Sequence, residues 1–127
     1  MPDRVLIVDD ERTLARVIGI RFKAAGFEVD TAFSGESGIA SATANRPAAI
    51  VLDVRMPDLT GFEVLDRLRA DPRTASIPVV FLSANVQDSA RAAAMAAGAV
   101  AYLTKPYDPA DVIAVVTRAI DAHRRSA

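Results

Sequence analysis

Acidic side chains stand directly after two short apolar runs of the chain. The run at residues 5–8 is followed by Asp9 and Asp10, and the run at residues 49–52 is followed by Asp53. Two unit charges about 4 Å apart repel by about 4 kcal/mol at an effective dielectric of about 20, so a close group of bare carboxylates is unstable. A divalent cation relieves that repulsion, and oxygen ligands suit Mg²⁺ or Mn²⁺. The spacing therefore predicts a cation site wherever the fold brings these carboxylates together.

A hydroxyl and an ammonium group follow two later apolar runs. Ser83 ends the run at 78–82, and Lys105, one of only two lysines, lies just beyond the run at 99–103. Each has an ordinary interpretation alone, Ser83 as a turn residue and Lys105 as a surface lysine. Together with a metal they would supply a hydrogen-bond donor and a positive charge to a phosphoryl oxygen. That combination around one carboxylate predicts phosphoryl transfer to Asp53.

Composition excludes several other classes of function. The 127 residues are 51% hydrophobic and 24% charged, which is typical of one folded domain, and the net charge of −1 argues against nucleic-acid binding by bulk charge. No cysteine and a single histidine, His123, exclude disulfides, thiolate metal sites and histidine-based triads. The most apolar stretch, 92–103, is shorter than the roughly 20 residues that span a bilayer, and no signal peptide is evident. We therefore expect a cytoplasmic protein without a membrane partner.

The elements that must position these side chains alternate between strand-like and helix-like segments. The strand-like segments are 5–8, 27–31, 49–52, 78–82 and 99–103, and the helix-like segments are 12–25, 36–44, 60–70, 89–97 and 109–124. Alternation of this kind predicts an α/β domain with a five-stranded, doubly wound parallel sheet. Polar and apolar residues alternate in the second strand, which indicates an edge position and the flavodoxin-like order 2-1-3-4-5. A Rossmann-like order is the alternative, and it usually needs a longer chain.

Two helices carry local signals in the sequence. Thr60 and Glu63 have the spacing of a capping box, which predicts a helix start at that point. In the first helix, the predicted apolar face is formed by Leu14, Val17, Ile18 and Ala25.

In a sheet of this order, ligands bind at the carboxyl ends of the strands, between the first and third strands. The acidic residues, the serine and the lysine are thus expected to converge on one edge.

With these residues in place, the sequence resembles the receiver domains of response regulators in two-component signalling systems. The matching segments extend over essentially the whole chain and are 5–11, 53–61, 83–84, 98–99 and 102–106. The resemblance implies a phosphorylation-activated response regulator that accepts a phosphoryl group from a sensor histidine kinase or a histidine phosphotransfer protein. It implies a signalling phosphoacceptor, which assists its own phosphorylation and dephosphorylation, rather than an enzyme with a separate substrate.

Carried over residue by residue, the resemblance makes Asp53 the phosphoacceptor. It implies a Mg²⁺ (or Mn²⁺) ion bound by Asp10, by Asp53 and by the backbone carbonyl of Arg55. Asp9 is implied to support the metal partly through water.

The same resemblance assigns three further roles. Ser83 corresponds to the switch hydroxyl and Lys105 to the lysine, both of which contact the phosphoryl group, and the Lys105–Pro106 bond is implied to be cis. Tyr102 corresponds to the aromatic switch, which turns inward when Ser83 is drawn toward the phosphate. These residues complete the expected catalytic and switching set.

Two positions and one surface are expected to tune the output. Arg55 and Asn85 flank the acceptor, and we expect this pair to set the lifetime of the phosphorylated state. The resemblance implies that the fourth helix, fifth strand and fifth helix, at about 89–124, form the surface read by a downstream protein. A phosphorylation-dependent homodimer through the fourth and fifth helices is left open.

Two other functions are compatible with an aspartate at the end of a parallel strand. A phosphatase with an aspartyl-phosphate intermediate would need an acid two residues after Asp53, where Arg55 stands. A pseudo-receiver that only binds partners is disfavoured by the intact acidic set. We expect residues 1–127 to form one receiver domain without an output domain, and so to act by docking or by passing the phosphoryl group on. If the sequence is an excised piece, its output lies elsewhere.

Overall fold

The computed structural model describes residues 2–126, in which strands and helices alternate strictly. The elements are β1 Arg4–Val8, α1 Arg12–Ala24, β2 Glu28–Ala32, α2 Gly35–Asn45, β3 Ala49–Asp53, α3 Gly61–Ala70, β4 Val79–Ser83, α4 Asp88–Ala96, β5 Ala101–Thr104 and α5 Pro109–Ser126. These bounds lie within two residues of the predicted ones. Within this range, none of the helices has the length and apolar character needed to cross a membrane.

The strands form one parallel sheet in the order β2-β1-β3-β4-β5. The predicted α/β class and strand order are therefore confirmed. Every residue of β3 and β4 is buried, as expected for strands that are covered on both faces. Since β1 and β3 are neighbours at the centre, their carboxyl ends meet where the strand order reverses.

The core is divided between the two faces of the sheet. On one face, Leu6 and Leu52 belong to an apolar cluster that packs against α2, α3 and α4. On the other face, Ile7 and Val51 belong to a second cluster, which packs against α1 and α5. Because successive strand residues point to opposite faces, one continuous apolar run supplies both clusters.

The rotation of α1 differs from the prediction. Val17 was expected on the apolar face, but it is 47% exposed, so that prediction is wrong. Ala25, expected on the same face, is exposed at the C-terminal end of α1, so that prediction is wrong as well. The buried positions of α1 are Ala15, Ile18, Gly19 and Phe22. These residues follow the i, i+3, i+4, i+7 pattern of a helix face, and small residues at two of them let the helix approach the sheet closely.

The start of α3 is fixed locally, as its sequence predicts. The hydroxyl of Thr60 accepts a hydrogen bond of 3.2 Å from the backbone N–H of Glu63. The carboxylate of Glu63 in turn accepts one of 3.0 Å from the backbone N–H of Thr60. This capping box satisfies two free N–H groups of the helix and defines where the loop after β3 ends.

Candidate functional site

Three carboxylates meet at the carboxyl ends of β1 and β3. Asp53 is the last residue of β3, and Asp9 and Asp10 directly follow β1, so the parallel pairing of these strands brings them together. One oxygen from each lies within 4.8 Å of the others. Asp9 and Asp53 are buried, with 1% and 6% exposure, whereas Asp10 is exposed.

Lys105 reaches this cluster from a strand that is not adjacent to β3. Its Nζ atom lies 3.1 Å from Asp53 Oδ1 and 3.8 Å from Asp9 Oδ2. Since β4 lies between β3 and β5, the lysine side chain spans the end of β4. The backbone N–H of Lys105 also donates a 2.7 Å hydrogen bond to the carbonyl of Ser83, and the Lys105–Pro106 peptide bond is cis.

Burial makes the carboxyl groups of Asp9 and Asp53 harder to ionise. It raises the pKa of Asp9 to about 6, although a hydrogen bond from the backbone N–H of Glu11 acts in the opposite direction. Burial also raises the pKa of Asp53, and the nearby Lys105 ammonium opposes this rise. The repulsion between carboxylates adds to the effect of burial at both residues.

The donor set fits a hard divalent cation. The three carboxylates offer oxygen ligands, and one ammonium group does not balance their charge. Asp9 Oδ2 is buried and has no hydrogen-bond partner among residues 2–126. A buried, unpartnered carboxylate oxygen next to two further carboxylates is the arrangement that a hydrated cation would stabilise.

Ser83 and Tyr102 are joined through the connection between β4 and α4. Ser83 is buried at the end of β4, and its hydroxyl accepts a 3.1 Å hydrogen bond from the backbone N–H of Asn85. The Tyr102 ring is 3% exposed and therefore faces inward, with its hydroxyl donating to the carbonyl of Asn85 at 2.7 Å. Arg91 of α4 donates to the carbonyl of Tyr102 at 2.8 Å, a contact that the sequence did not reveal.

The two predicted tuning residues lie at the surface. Arg55 is exposed and makes no hydrogen bond or ion pair with other residues in the range 2–126. Asn85 is exposed as well, and its side-chain oxygen accepts a 3.0 Å hydrogen bond from the backbone N–H of Gln87. Asn85 thus stabilises the turn before α4, and within residues 2–126 it makes no hydrogen bond to the acidic side chains.

The loop after β3 contains two residues with structural roles near the site that were not predicted from the sequence. A Cβ atom on Gly61 would lie 2.8 Å from the carbonyl oxygen of Asp53 and 2.8 Å from the Phe81 ring, so only glycine fits without displacement. The Asp58 carboxylate accepts hydrogen bonds of 2.9 Å from the backbone N–H groups of Gly35 and Glu36, at the start of α2. No sequence signal links Asp58 to a helix more than 20 residues away.

Tyr107 is a third residue that was missed. Its hydroxyl is buried and has no hydrogen-bond partner within the described part of the chain. Burial raises its pKa, and the negative charges of Asp9 and Asp53 raise it further. Tyr107 belongs to the connection from β5 to α5, at the same edge of the sheet as the acidic cluster. The only available signal was an aromatic hydroxyl two residues after Lys105.

Comparison with known families agrees with this geometry. The sequence model of the response regulator receiver domain matches residues 5–117. The chain therefore belongs to the response regulator receiver domain family, which consists of signalling domains of two-component systems. It is 40% identical over 113 residues to the DNA-binding dual master transcriptional regulator RpaA of Synechocystis, a match that covers 89% of this chain and 47% of that protein.

Solved structures show the same architecture. The chemotaxis response regulator CheY4 of Vibrio cholerae superposes with a TM-score of 0.88 at 29% identity, covering 94% of this chain and 99% of that chain. A CheY-like receiver domain protein of Methanospirillum hungatei superposes with a TM-score of 0.92 over the full length of both chains. Its identity of 22% supports the shared fold alone.

The extent of the matches differs between sequences and structures. The chain spans about half the length of the curated relatives it matches, between 47% and 48% of the first few. The shared part is the receiver domain, so the DNA binding named for RpaA describes that whole protein.

Proposed function

We propose that this receiver domain accepts a phosphoryl group on Asp53, with Mg²⁺ or Mn²⁺ as cofactor, from a sensor histidine kinase or a histidine phosphotransfer protein. The observation that carries the proposal is the 3.1 Å contact between Lys105 Nζ and Asp53 Oδ1 beside two further carboxylates. A buried acceptor carboxylate, a lysine and a set of oxygen ligands are the groups that this transfer requires.

In the transfer, a carboxylate oxygen of Asp53 attacks phosphorus. The phosphorus–nitrogen bond of the donor phosphohistidine breaks, its electron pair stays on the imidazole nitrogen, and a phosphorus–oxygen bond forms. Lys105 places a positive charge where the phosphoryl oxygens would lie. The Ser83 hydroxyl accepts a hydrogen bond from Asn85 N–H, so its own proton remains free to donate to a phosphoryl oxygen.

The cation would be held by Asp10, Asp53 and the backbone carbonyl of Arg55, with Asp9 acting through water. When bound, it supplies positive charge that neutralises the transferring phosphoryl group. The chain's own residues bury and orient the acceptor, since Asp53 ends a fully buried strand and Gly61 packs against its carbonyl oxygen.

Phosphorylation would change the surface formed by α4, β5 and α5. Drawing Ser83 toward the phosphoryl group would disturb its hydrogen bond with Asn85, and Asn85 in turn holds the Tyr102 hydroxyl. Nearly complete switching requires differential stabilisation of about 5.5 kcal/mol. We propose a downstream protein as the partner of this surface, a phosphorylation-dependent homodimer as the other form of association, and the cytoplasm as the location.

The two alternative functions lack support of this kind. An aspartyl-phosphate phosphatase would place an acid two residues after Asp53, and Arg55 occupies that position. A pseudo-receiver needs no acceptor site, yet Asp53 is held by Lys105 and is surrounded by potential metal ligands.

The proposal is tested by incubating the protein with a small acyl-phosphate donor and Mg²⁺ and then measuring the intact mass. We expect the gain of one phosphoryl group, which should be lost in Asp53→Asn and in the presence of EDTA. Absence of uptake by the unmodified protein would favour the pseudo-receiver. Continuous turnover of phosphate monoesters would favour the phosphatase.

A further inference from the structure

Two buried polar side-chain atoms have no hydrogen-bond partner within residues 2–126, namely Asp9 Oδ2 and Tyr107 Oη. Both belong to connections at the carboxyl edge of the sheet, Asp9 after β1 and Tyr107 between β5 and α5. One is an acceptor and the other is a donor. Buried polar atoms of native proteins are nearly always paired, so two complementary unpaired atoms at one edge call for an explanation.

The hydroxyl of Tyr107 is buried on the connection from β5 to α5, at the edge of the sheet that carries the acidic cluster. Burial raises its pKa, and the carboxylates of Asp9, Asp53 and Glu11 raise it further. Tyr107 therefore keeps its proton and remains a hydrogen-bond donor under all ordinary conditions. The apolar part of its ring packs against the cluster beneath α1 and α5, which fixes the position of the hydroxyl.

One carboxylate oxygen of Asp9 has a hydrogen-bond partner, and the other has none within residues 2–126. Its Oδ1 accepts a 3.0 Å hydrogen bond from the backbone N–H of Glu11. Its Oδ2 has only the Lys105 ammonium at 3.8 Å, which is longer than a hydrogen bond. Lys105 is nearer to Asp53, at 3.1 Å, so Asp9 needs a second donor to hold its carboxylate in one orientation.

We infer that Tyr107 is a positioning residue for the cation site, whose hydroxyl donates through one water molecule to Asp9 Oδ2. The inference rests on the proposed function, because it concerns the divalent cation that the acidic cluster would hold. With its second oxygen hydrogen-bonded, Asp9 is held in the orientation from which it serves the water shell of the cation. Groups that orient metal ligands in this way typically change metal affinity by about 10–100-fold when they are removed.

The test is Tyr107→Phe, which removes the hydroxyl and keeps the ring. Isothermal titration calorimetry of the metal-free protein with MgCl₂ should give a dissociation constant roughly tenfold higher for the variant than for the unmodified protein. In EDTA, the thermal midpoint of the variant should be equal or higher, because a buried hydroxyl without a direct protein partner has been removed. A structural role for the hydroxyl would instead lower that midpoint, and this result would overturn the inference.

A double variant separates action through Asp9 from a general effect on the site. In an Asp9→Asn background, Tyr107→Phe should cause no further loss of Mg²⁺ affinity, whereas independent effects would add. Equal Mg²⁺ affinity of Tyr107→Phe and the unmodified protein overturns the inference and leaves the proposed function intact. Failure of the unmodified protein to bind Mg²⁺ removes the metal-dependent function itself, and the inference with it.

Discussion

The Tyr102 hydroxyl donates a 2.7 Å hydrogen bond to the main-chain carbonyl of Asn85. This bond connects the buried ring of β5 to the exposed connection between β4 and α4. The N–H of the same residue, Asn85, donates to the hydroxyl of Ser83. A single peptide segment is thus held on one side by the proposed phosphoryl-binding hydroxyl and on the other by the proposed aromatic switch.

Tyr102→Phe should lower the free energy of unfolding by about 1 kcal/mol, because one intramolecular hydrogen bond is lost. It should also speed amide hydrogen exchange at residues 84–87, where the bond holds the backbone. Urea denaturation and hydrogen exchange measure the two effects. Tyr107→Phe in EDTA is the matched control and should show no loss of stability, so equal behaviour of the two variants would contradict the assigned bond.

The buried Asp9 carboxyl predicts an unusual pH dependence for the metal-free protein. Burial raises its pKa from the ordinary 3.8 to about 6 in the folded state. Because the folded pKa is above the unfolded one, the stabilising contribution is complete below about pH 4 and is lost as pH rises through 6. Asp9→Asn in EDTA at pH 7.5 should therefore raise the free energy of unfolding, by roughly 1–3 kcal/mol.

Urea denaturation in EDTA at pH 5 and pH 7.5 measures this effect, and the gain from Asp9→Asn should shrink at the lower pH. Asp10→Asn is the control. Because Asp10 is exposed and solvated, its replacement should give a smaller gain. A destabilised Asp9→Asn protein at pH 7.5 would contradict the assignment of a raised pKa to the buried Asp9 carboxyl.

Gly61 should not tolerate a side chain. In Gly61→Ala the new methyl group would lie 2.8 Å from the Asp53 carbonyl oxygen, so either the loop or the end of β3 must move. We expect a loss of about 1–3 kcal/mol in the free energy of unfolding, together with slower phosphoryl uptake by Asp53. Chemical denaturation and the intact-mass assay measure both quantities.

Gly19→Ala is the matched control for Gly61→Ala. Its new methyl group would lie 3.4 Å from a Val29 methyl, an ordinary contact, in the middle of α1. Because alanine favours a helix over glycine by up to about 1 kcal/mol, this variant should be as stable as the unmodified protein or more so. Equal losses in the two variants would contradict the close packing assigned to Gly61.

Arg55 and Asn85 should control the decay of the phosphorylated form. Replacing both by alanine should change its first-order decay rate several-fold, because both residues are exposed and stand two residues after the ends of the neighbouring strands β3 and β4. Arg55→Ala should account for most of the change, since the Asn85 side chain is already bonded to the N–H of Gln87. Intact mass followed over time measures the decay, with Arg16→Ala on the exposed face of α1 as control. An unchanged rate in the double variant would show that the pair does not set the lifetime.

The convergence of Asp9, Asp53 and Lys105 could be predicted because strand ends of a parallel sheet share one edge. Once the alternation of strands and helices indicates the topology, the order of the strands determines which strand ends lie next to each other, and so which following residues are neighbours. The capping box of Thr60 and Glu63 was predictable for a different reason, since both partners lie within one helical turn.

Other features depend on packing that no local pattern encodes. The exposure of Val17 follows from how α1 is rotated against the sheet, and the apolar residues of α1 are compatible with more than one rotation. The bond from Asp58 to the start of α2 joins segments more than 20 residues apart. The depth of the Tyr107 hydroxyl depends on how the connection between β5 and α5 covers the edge of the sheet.

The hydrogen bonds of Asp58 restrain the acidic site on the side of α2. Asp58 fixes the loop after β3 to α2, and Gly61 N–H fixes the end of that loop to the Val54 carbonyl at 2.8 Å. The opposite wall, at residues 84–87, consists of exposed residues and is held by three hydrogen bonds at Asn85, one of which involves the Ser83 hydroxyl. If Ser83 moves, the α4 side loses one of its hydrogen bonds while the bonds between Asp58 and α2 remain, so we expect strain that arises at Asp53 to be relieved mainly toward α4.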